Sequence, residues 1–519
     1  MYEALPPLTP RQRGDYQTPH DLARQVWETL KGAQFDLVIE PTFGMGSFFE
    51  TMPATCNAAV IGWEIHQEYY WATVEGVASN RRQYDLYHGD ILDASIADIV
   101  APLGGDILVI GNPPWVTNAE QGVLGGRNTG GKVNLKNLPG LDALTGKANF
   151  DIAEAIILHL LTVTRAYRSV QFALLVKFSV ARNLLLFLER DSQIGDFEFH
   201  RIDTQRHFGA SVDAGLLKFR CGAYVRALGR CIIYDILGQE AHKEIGIIDQ
   251  HVIYDLQTYN RYAALGRKDV TPYVWRQGVK HDLREVFELQ EVNDAFWNHR
   301  HEPVVIESEL LYQLYKGSDV FHGRKSRFVI PLYQRDLQDD LRDVAEQYPL
   351  AWNYLQNHAA DFAARKSRIY QKRPPFSLFG IGDYTYRRYK VAISALHSEP
   401  VFRLLPPSPR ISIVDDTCYI IATDDEREAA YLLAILTLDC VRDFLMAISY
   451  PGDKRRFSKD VLSRVHIPSI DSCPPKLVDE AVSQWHKQGA FSTAYKHELQ
   501  VWFLSYRSAI LQPPLFVAD

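Results

Sequence analysis

The peptide richest in chemical content is Asn112-Pro113-Pro114-Trp115, which closes the apolar run Ile107-Leu108-Val109-Ile110-Gly111. Two consecutive prolines fix φ and remove two backbone donors, so the carbonyls leave the turn in set directions. The Asn112 side-chain oxygen and the Pro113 carbonyl make a pair of acceptors, and Trp115 adds a flat aromatic surface. An exocyclic amino group on a base is a poor nucleophile, because its lone pair is delocalised into the ring. Two acceptors facing its two N–H bonds favour a pyramidal nitrogen and direct the lone pair at an electrophile. Nothing in the turn resembles a nucleophile with an adjacent base, so the transferred group must come from an activated cofactor. The competing reading is an ordinary Asn-Pro turn with a tryptophan packed on it.

The residues upstream give the turn a context. Phe35-Asp36-Leu37-Val38-Ile39-Glu40-Pro41-Thr42-Phe43-Gly44-Met45-Gly46 runs as strand and glycine turn, with Ser47 at a helix start. Glycines let a backbone approach a ligand closely, and Glu40 is placed to accept from an ammonium group. The spacing is not the dinucleotide GxGxxG pattern. Glu64 ends the next apolar run, where a carboxylate can take both hydroxyls of a ribose, and Asp90-Ile91 follows a further one, suited to a cofactor's adenine amino group. Each acid alone is more often a solvated loop residue. Strand-end acids after a glycine turn, with Asn-Pro-Pro-Trp at a later strand end, are harder to obtain by chance. Ligands of such sheets bind outside the carboxyl ends of the strands.

These residues need a sheet to hold them, and the pattern supplies one. From Phe35 to about Ile233, short β-branched apolar runs alternate with amphipathic stretches, the rhythm of a parallel sheet covered by helices. Predicted strands cover 35–39, 59–63, 106–110 and 172–176, and predicted helices 21–30 and 151–166. The stretch 116–146 lacks period and reads as a long loop. At 519 residues the chain exceeds what one core usually serves, and the rhythm changes past Leu237. The expected division is 1–265 and 266–519. In the second part, 380–392 reads as strand-like with a Gly-Asp turn, and 426–445 as one long amphipathic helix. Six scattered cysteines without CxxC spacing suggest neither a metal site nor a disulfide framework. No apolar run reaches the ~18 residues of a bilayer span and no signal-peptide core is visible, so a cytoplasmic protein away from membranes is expected.

Taken together, the motifs resemble the amino-methylating DNA methyltransferases of the gamma arrangement, like the TaqI enzyme. In that family cofactor motifs precede the Asn-Pro-Pro-aromatic motif and a target-recognition domain follows. The resemblance covers the whole chain and is strongest over 14–220. It implies a Rossmann-like α/β methyltransferase domain that uses S-adenosyl-L-methionine, followed by an α+β DNA target-recognition domain. The implied activity is methylation of N6 of an adenine flipped out of double-stranded DNA, within a restriction–modification or related defence system. By the same resemblance the catalytic residues are Asn112, Pro113, Pro114 and Trp115, with Phe150 standing in for a second base-stacking aromatic. The implied cofactor contacts are Thr18, Glu40, Pro41, Phe43, Gly44, Gly46, Glu64, Asp90, Ile91 and Asn112. Thr18 reads equally as a helix N-cap with Pro19 at the first helical position. The family often has proline where Lys177 stands, which leaves that strand end without an inherited role.

The net charge of −7 does not announce a nucleic-acid binder, so the argument rests on local clusters. Arg365, Lys366, Arg387, Arg388, Lys454 and Arg455 are assigned to a DNA face, as phosphate contacts or solvated positions more readily than as base readers. No nuclease motif precedes the cofactor motifs, so any restriction endonuclease is expected to be separately encoded. Three alternatives stay open: methylation of cytosine N4, methylation of an RNA base or a protein glutamine, and a non-catalytic DNA-binding subunit. The region from 265 onward favours DNA.

Overall fold

A computed structural model describes residues 16–78, 80, 82–94, 105–116, 151–164, 167, 169–222, 225, 229–235, 237, 241–266, 271–324, 327–333, 341–371, 373–406 and 410–509. The chain divides into two compact units between Leu256 and Gln257.

The first unit is built on a ten-stranded sheet, β1 (Leu37–Glu40), β2 (Ala59–Glu64), β3 (Tyr84–His88), β4 (Asp106–Gly111), β5 (Ser169–Lys177), β6 (Ile194–Arg201), β7 (Ala214–Gly222), β8 (Arg230–Tyr234), β9 (Ala241–Ile248) and β10 (His251–Ile253). Their order is β10-β9-β8-β6-β7-β5-β4-β1-β2-β3. The stretch β3-β2-β1-β4-β5 is parallel throughout, and β7 inserts antiparallel beside β5. All four residues of β1 and Ile107–Ile110 of β4 are buried, as expected where helices cover both faces of a parallel sheet. This is the Rossmann-like α/β architecture expected. All four predicted strands are present, and β5 is longer than predicted because it pairs with β7 along its full length.

Helix α1 (His20–Glu28) buries Leu22, Ala23, Val26 and Trp27, and α2 (Ser47–Glu50) follows the glycine turn. Helices α3 (Gln67–Val77), α4 (Ile152–Thr164) and α5 (Phe178–Leu188) follow β2, the stretch beyond β4, and β5. Thr18 is not the cap of α1: Pro19, extended at ψ 145°, occupies that position and its carbonyl accepts from Ala23 N at 3.0 Å. Most of the expected loop over 116–146 lies outside the described residues.

The second unit is α+β. A six-stranded sheet and a four-stranded antiparallel sheet are followed by the helices Glu426–Leu436, Asp439–Ile448, Pro475–Gln488 and Thr493–Ala509. Two elements of this unit depart from the sequence expectation. The helix expected over 426–445 breaks at Thr437-Leu438, where Leu438 is extended (ψ 144°) and Lys496 Nζ donates to the Thr437 carbonyl at 3.2 Å. The stretch over 380–392 opens as a helical turn, Asp383–Tyr386, before the strand Tyr389–Ser394. Gly382 N donates to Thr385 Oγ1 at 3.1 Å and Thr385 N to the Gly382 carbonyl at 2.8 Å, which closes the turn locally. Among the described residues no helix is long and apolar enough to cross a membrane.

Candidate functional site

Chain order reverses between β1 and β4, and a crevice opens where strands on either side of such a point lead their connections away in opposite directions. Glu40 ends β1, Glu64 ends β2, Asp90 lies just past β3 and Asn112 just past β4. Because these strands are parallel, all four residues stand at one edge of the sheet.

The glycine turn after β1 is tightly built. Gly44 (φ 54°) and Gly46 (φ 77°) are left-handed, and an added Cβ would lie 2.5 Å from Gln17 Oε1 and 2.7 Å from Thr73 Cγ2 respectively. Gly44 N donates to Glu64 Oε2 at 2.9 Å and Met45 N to Gln17 Oε1 at 2.9 Å. Glu64 Oε1 also accepts from His66 N at 2.7 Å, so this carboxylate ties the turn to the end of β2. Thr18 joins through its carbonyl, which accepts from Ser47 Oγ at 2.6 Å. Pro41, Phe43 and Ile91 are buried, and Asp90 is half-buried with Oδ1 accepting from Leu92 N.

Glu40 is 1 % exposed, and its Oε2 has no hydrogen-bond partner among the described residues. Burial, and then the nearby Glu64 carboxylate, push its pKa well above the usual carboxylate range. A buried acid left in this state invites a cation.

At the Asn-Pro-Pro-Trp turn, Asn112 Nδ2 donates to the Tyr16 carbonyl at 2.8 Å. A carbonyl can only accept, so this bond fixes which end of the amide is which. Asn112 Oδ1 is thereby left as the acceptor, buried and without a partner among the described residues. Trp115 is only 6 % exposed, with Tyr16 at 5.4 Å and Phe208 at 5.1 Å between ring centroids. Its ring is part of an aromatic cluster, tilted at 46° to Tyr16 and edge-on to Phe208 at 75°. Phe150 lies outside the described residues. Glu154, next to its end of α4, is buried, and burial raises its pKa to about 7 against a hydrogen bond from Asn183 Nδ2.

Sequence reasoning missed Tyr16 as a member of this site. Tyr16 acts on Asn112 through its backbone carbonyl from 96 residues away, a contact that leaves no signal in residue type.

In the second unit the basic residues assigned to a DNA face fall into two groups. Lys366, Arg387, Arg388 and Lys454 are exposed. Arg365 instead donates to the carbonyls of His281 (3.2 Å), Ser377 (3.0 Å) and Phe362 (3.3 Å) and lies over the Tyr370 ring. Arg455 is paired with Asp416 Oδ2 at 3.1 Å.

No family model matches the chain. The Type II methyltransferase M.NspV of Nostoc sp. is 34% identical to it over 472 residues, covering 88% of this chain and 97% of that protein. Solved structures resemble it far less. The 23S rRNA methyltransferase ErmE is 13% identical with a TM-score of 0.28, over 40% of this chain and 71% of its own. A dimethyladenosine transferase from Plasmodium falciparum is 12% identical with a TM-score of 0.27, over 39% and 62%. Likenesses this slight carry no weight beside the sequence relative.

Proposed function

The chain belongs to the type II DNA methyltransferases of restriction–modification systems, and we propose that it methylates N6 of an adenine flipped out of double-stranded DNA. S-adenosyl-L-methionine is its methyl donor. The residues at the strand ends suit that donor. The unpartnered Glu40 Oε2 suits the ammonium, the close-approach turn at Gly44 and Gly46 suits the methionine chain with Thr18, Pro41 and Phe43, and Glu64, Asp90 and Ile91 suit the nucleoside. When bound, the donor supplies an electrophilic methyl on a sulfonium.

The observation that carries the choice of an amino nitrogen is Asn112. Its amide is oriented by the Tyr16 carbonyl so that Oδ1 is left to accept, buried and unpartnered among the described residues. With the Pro113 carbonyl as second acceptor, an exocyclic amino group has both N–H bonds engaged and its lone pair directed away from the ring plane. No strong base is needed, because the nitrogen that gains the methyl as the sulfonium loses it becomes cationic and acidic, and its extra proton passes to water. Flipping the base costs about a few kcal/mol, and stacking on Trp115 returns roughly 1–3 kcal/mol. What supports the gamma-type, TaqI-like reading is chain order, with the cofactor turn before Asn-Pro-Pro-Trp and a second unit after it.

The first compact unit is assigned to catalysis and the second to recognition of the target sequence, meeting at Leu256 and Gln257 where a division into 1–265 and 266–519 was expected. Within the latter, Lys366, Arg387, Arg388 and Lys454 are proposed as backbone contacts, and Arg365 and Arg455 are held by their own chain. A separately encoded restriction endonuclease of the same specificity is the proposed partner. Digestion of methylated genomic DNA to nucleosides tests the central statement. N6-methyladenine is the expected product, and N4-methylcytosine, or methyl groups found only in RNA or protein, would overturn it.

A further inference from the structure

Pro113 and Pro114 have no backbone N–H, so the peptides that aim the Pro113 carbonyl cannot be held by donors of their own. Whatever fixes them acts on the flanks. In front, Asn112 is tied to the Tyr16 carbonyl. Behind, Trp115 is tied twice to the end of β5: its Nε1 donates to the Leu175 carbonyl at 3.1 Å, and its own carbonyl accepts from Lys177 Nζ at 3.3 Å. The Lys177 ammonium is in turn paired with Asp151 Oδ2, while Asp151 Oδ1 accepts from Ala153 N at 3.1 Å at the head of α4. The two side chains are 18% and 7% exposed, so water competes little for the pair.

We propose that Lys177 is a positioning residue for methyl transfer: oriented by Asp151, its ammonium holds the Trp115 carbonyl and thereby fixes the direction of the Pro113 carbonyl. The inference rests on the reading of Asn112 and Pro113 as the acceptor pair. Lys177 touches no reacting atom. It supplies from a neighbouring strand the donor that the double proline gave up, and Asp151 stops that flexible side chain from sampling other partners. A packing role alone would need only its aliphatic stem, so the paired charge separates the two explanations.

The test is single-turnover transfer of labelled methyl from S-adenosyl-L-methionine to unmodified genomic DNA, with dissociation constants for cofactor and DNA measured alongside. Lys177→Met is expected to lower the transfer rate by roughly 10²-fold, the cost of misplacing a reacting group by about an ångström. Both dissociation constants are expected to stay unchanged, and Lys177→Arg, which keeps the charge, to recover part of the rate. Asp151→Asn keeps the helix cap, since asparagine caps as well as aspartate, and is expected to slow transfer in the same direction. If Lys177→Met fails to fold, Asp151→Asn decides alone. The proposal is overturned by wild-type rates in these variants, by losses confined to the dissociation constants, or by no recovery in Lys177→Arg. Asn112→Ala separates the two levels. Wild-type transfer in that variant removes the underlying reading, whereas its inactivity beside a fully active Lys177→Met removes only the role of Lys177.

Discussion

Glu40 in the first unit and Glu288 in the second are buried to the same depth, 1 % and 0 % exposed, yet the chain provides for them in opposite ways. Around Glu288 stand Lys316 at 2.5 Å, His281 at 3.2 Å, Arg327 at 3.4 Å, and Arg284 and His299 at 3.7 Å. Burial alone would raise its pKa, but hydrogen bonds and charge from His281 and Lys316 outweigh burial and hold it at about 2. Among the described residues Glu40 has no such company: Oε2 is unpartnered, the charged group nearest in effect is another carboxylate, and its pKa rises. An acid neutralised by its own chain ties a fold together. One left uncompensated costs stability, and the cost is recovered when a cationic ligand arrives. Asn112 Oδ1 belongs with Glu40, as a buried acceptor without a partner among the described residues, and both are proposed to meet theirs in a ligand.

That contrast can be broken most directly at Asn112. Asn112→Ala is expected to reduce methyl transfer by at least roughly 10²–10³-fold with cofactor affinity nearly intact. Labelled-methyl assays beside calorimetry read both quantities, and full activity would remove Asn112 from the mechanism.

On the other side of the contrast, Glu288→Gln leaves Lys316, Arg327 and His281 without their shared counter-charge. It should cost about 3 kcal/mol in urea unfolding, and an unchanged midpoint would erase the distinction drawn here.

Glu40→Gln should instead leave the cofactor-free protein no less stable, while weakening S-adenosyl-L-methionine by roughly tenfold, the worth of a charged hydrogen bond of about 1.5 kcal/mol. The pH dependences have opposite signs. Glu288, whose folded pKa is depressed, contributes stability that is complete above its ordinary value of 4.5 and is lost as pH falls toward about 2. Glu40, whose folded pKa is raised, imposes a cost that is absent below 4.5 and grows as pH rises toward its folded value. Unfolding midpoints against pH for the wild type and each variant should diverge in those two windows. Parallel curves would contradict both assignments.

The smallest effect belongs to the exposed cations. Arg388→Ala and Lys454→Ala should each reduce the salt dependence of DNA binding by a slope of about 1, with no change in the sequence methylated. A changed methylation pattern would make either residue a base reader.

Much of the architecture was legible in residue order. The stretches 37–39 and 107–110 declare buried parallel strands through unbroken apolar character, and Glu40 and Asn112 follow at the edge proposed for binding. The glycines at 44 and 46 and the prolines at 113 and 114 are equally readable, since each follows from backbone geometry within a few residues. The helix expected over 426–445 shows where this fails: its interruption at Thr437 is supported by Lys496, far along the chain.

The sequence by itself determined the strand ends, the close-approach turn and the donor-free turn that follows β4, because these depend on local dihedral preference and short-range periodicity. Only the tertiary structure decided which Asn112 atom is left to accept, that Trp115 is enclosed by Tyr16 and Phe208, and that Lys177 reaches the Trp115 carbonyl. It also turned Arg365 inward to the His281 and Ser377 carbonyls and set cations around Glu288 while leaving Glu40 with none among the described residues. Each of those outcomes joins residues that chain order keeps apart, and hydrogen bonding and desolvation are settled by proximity in space.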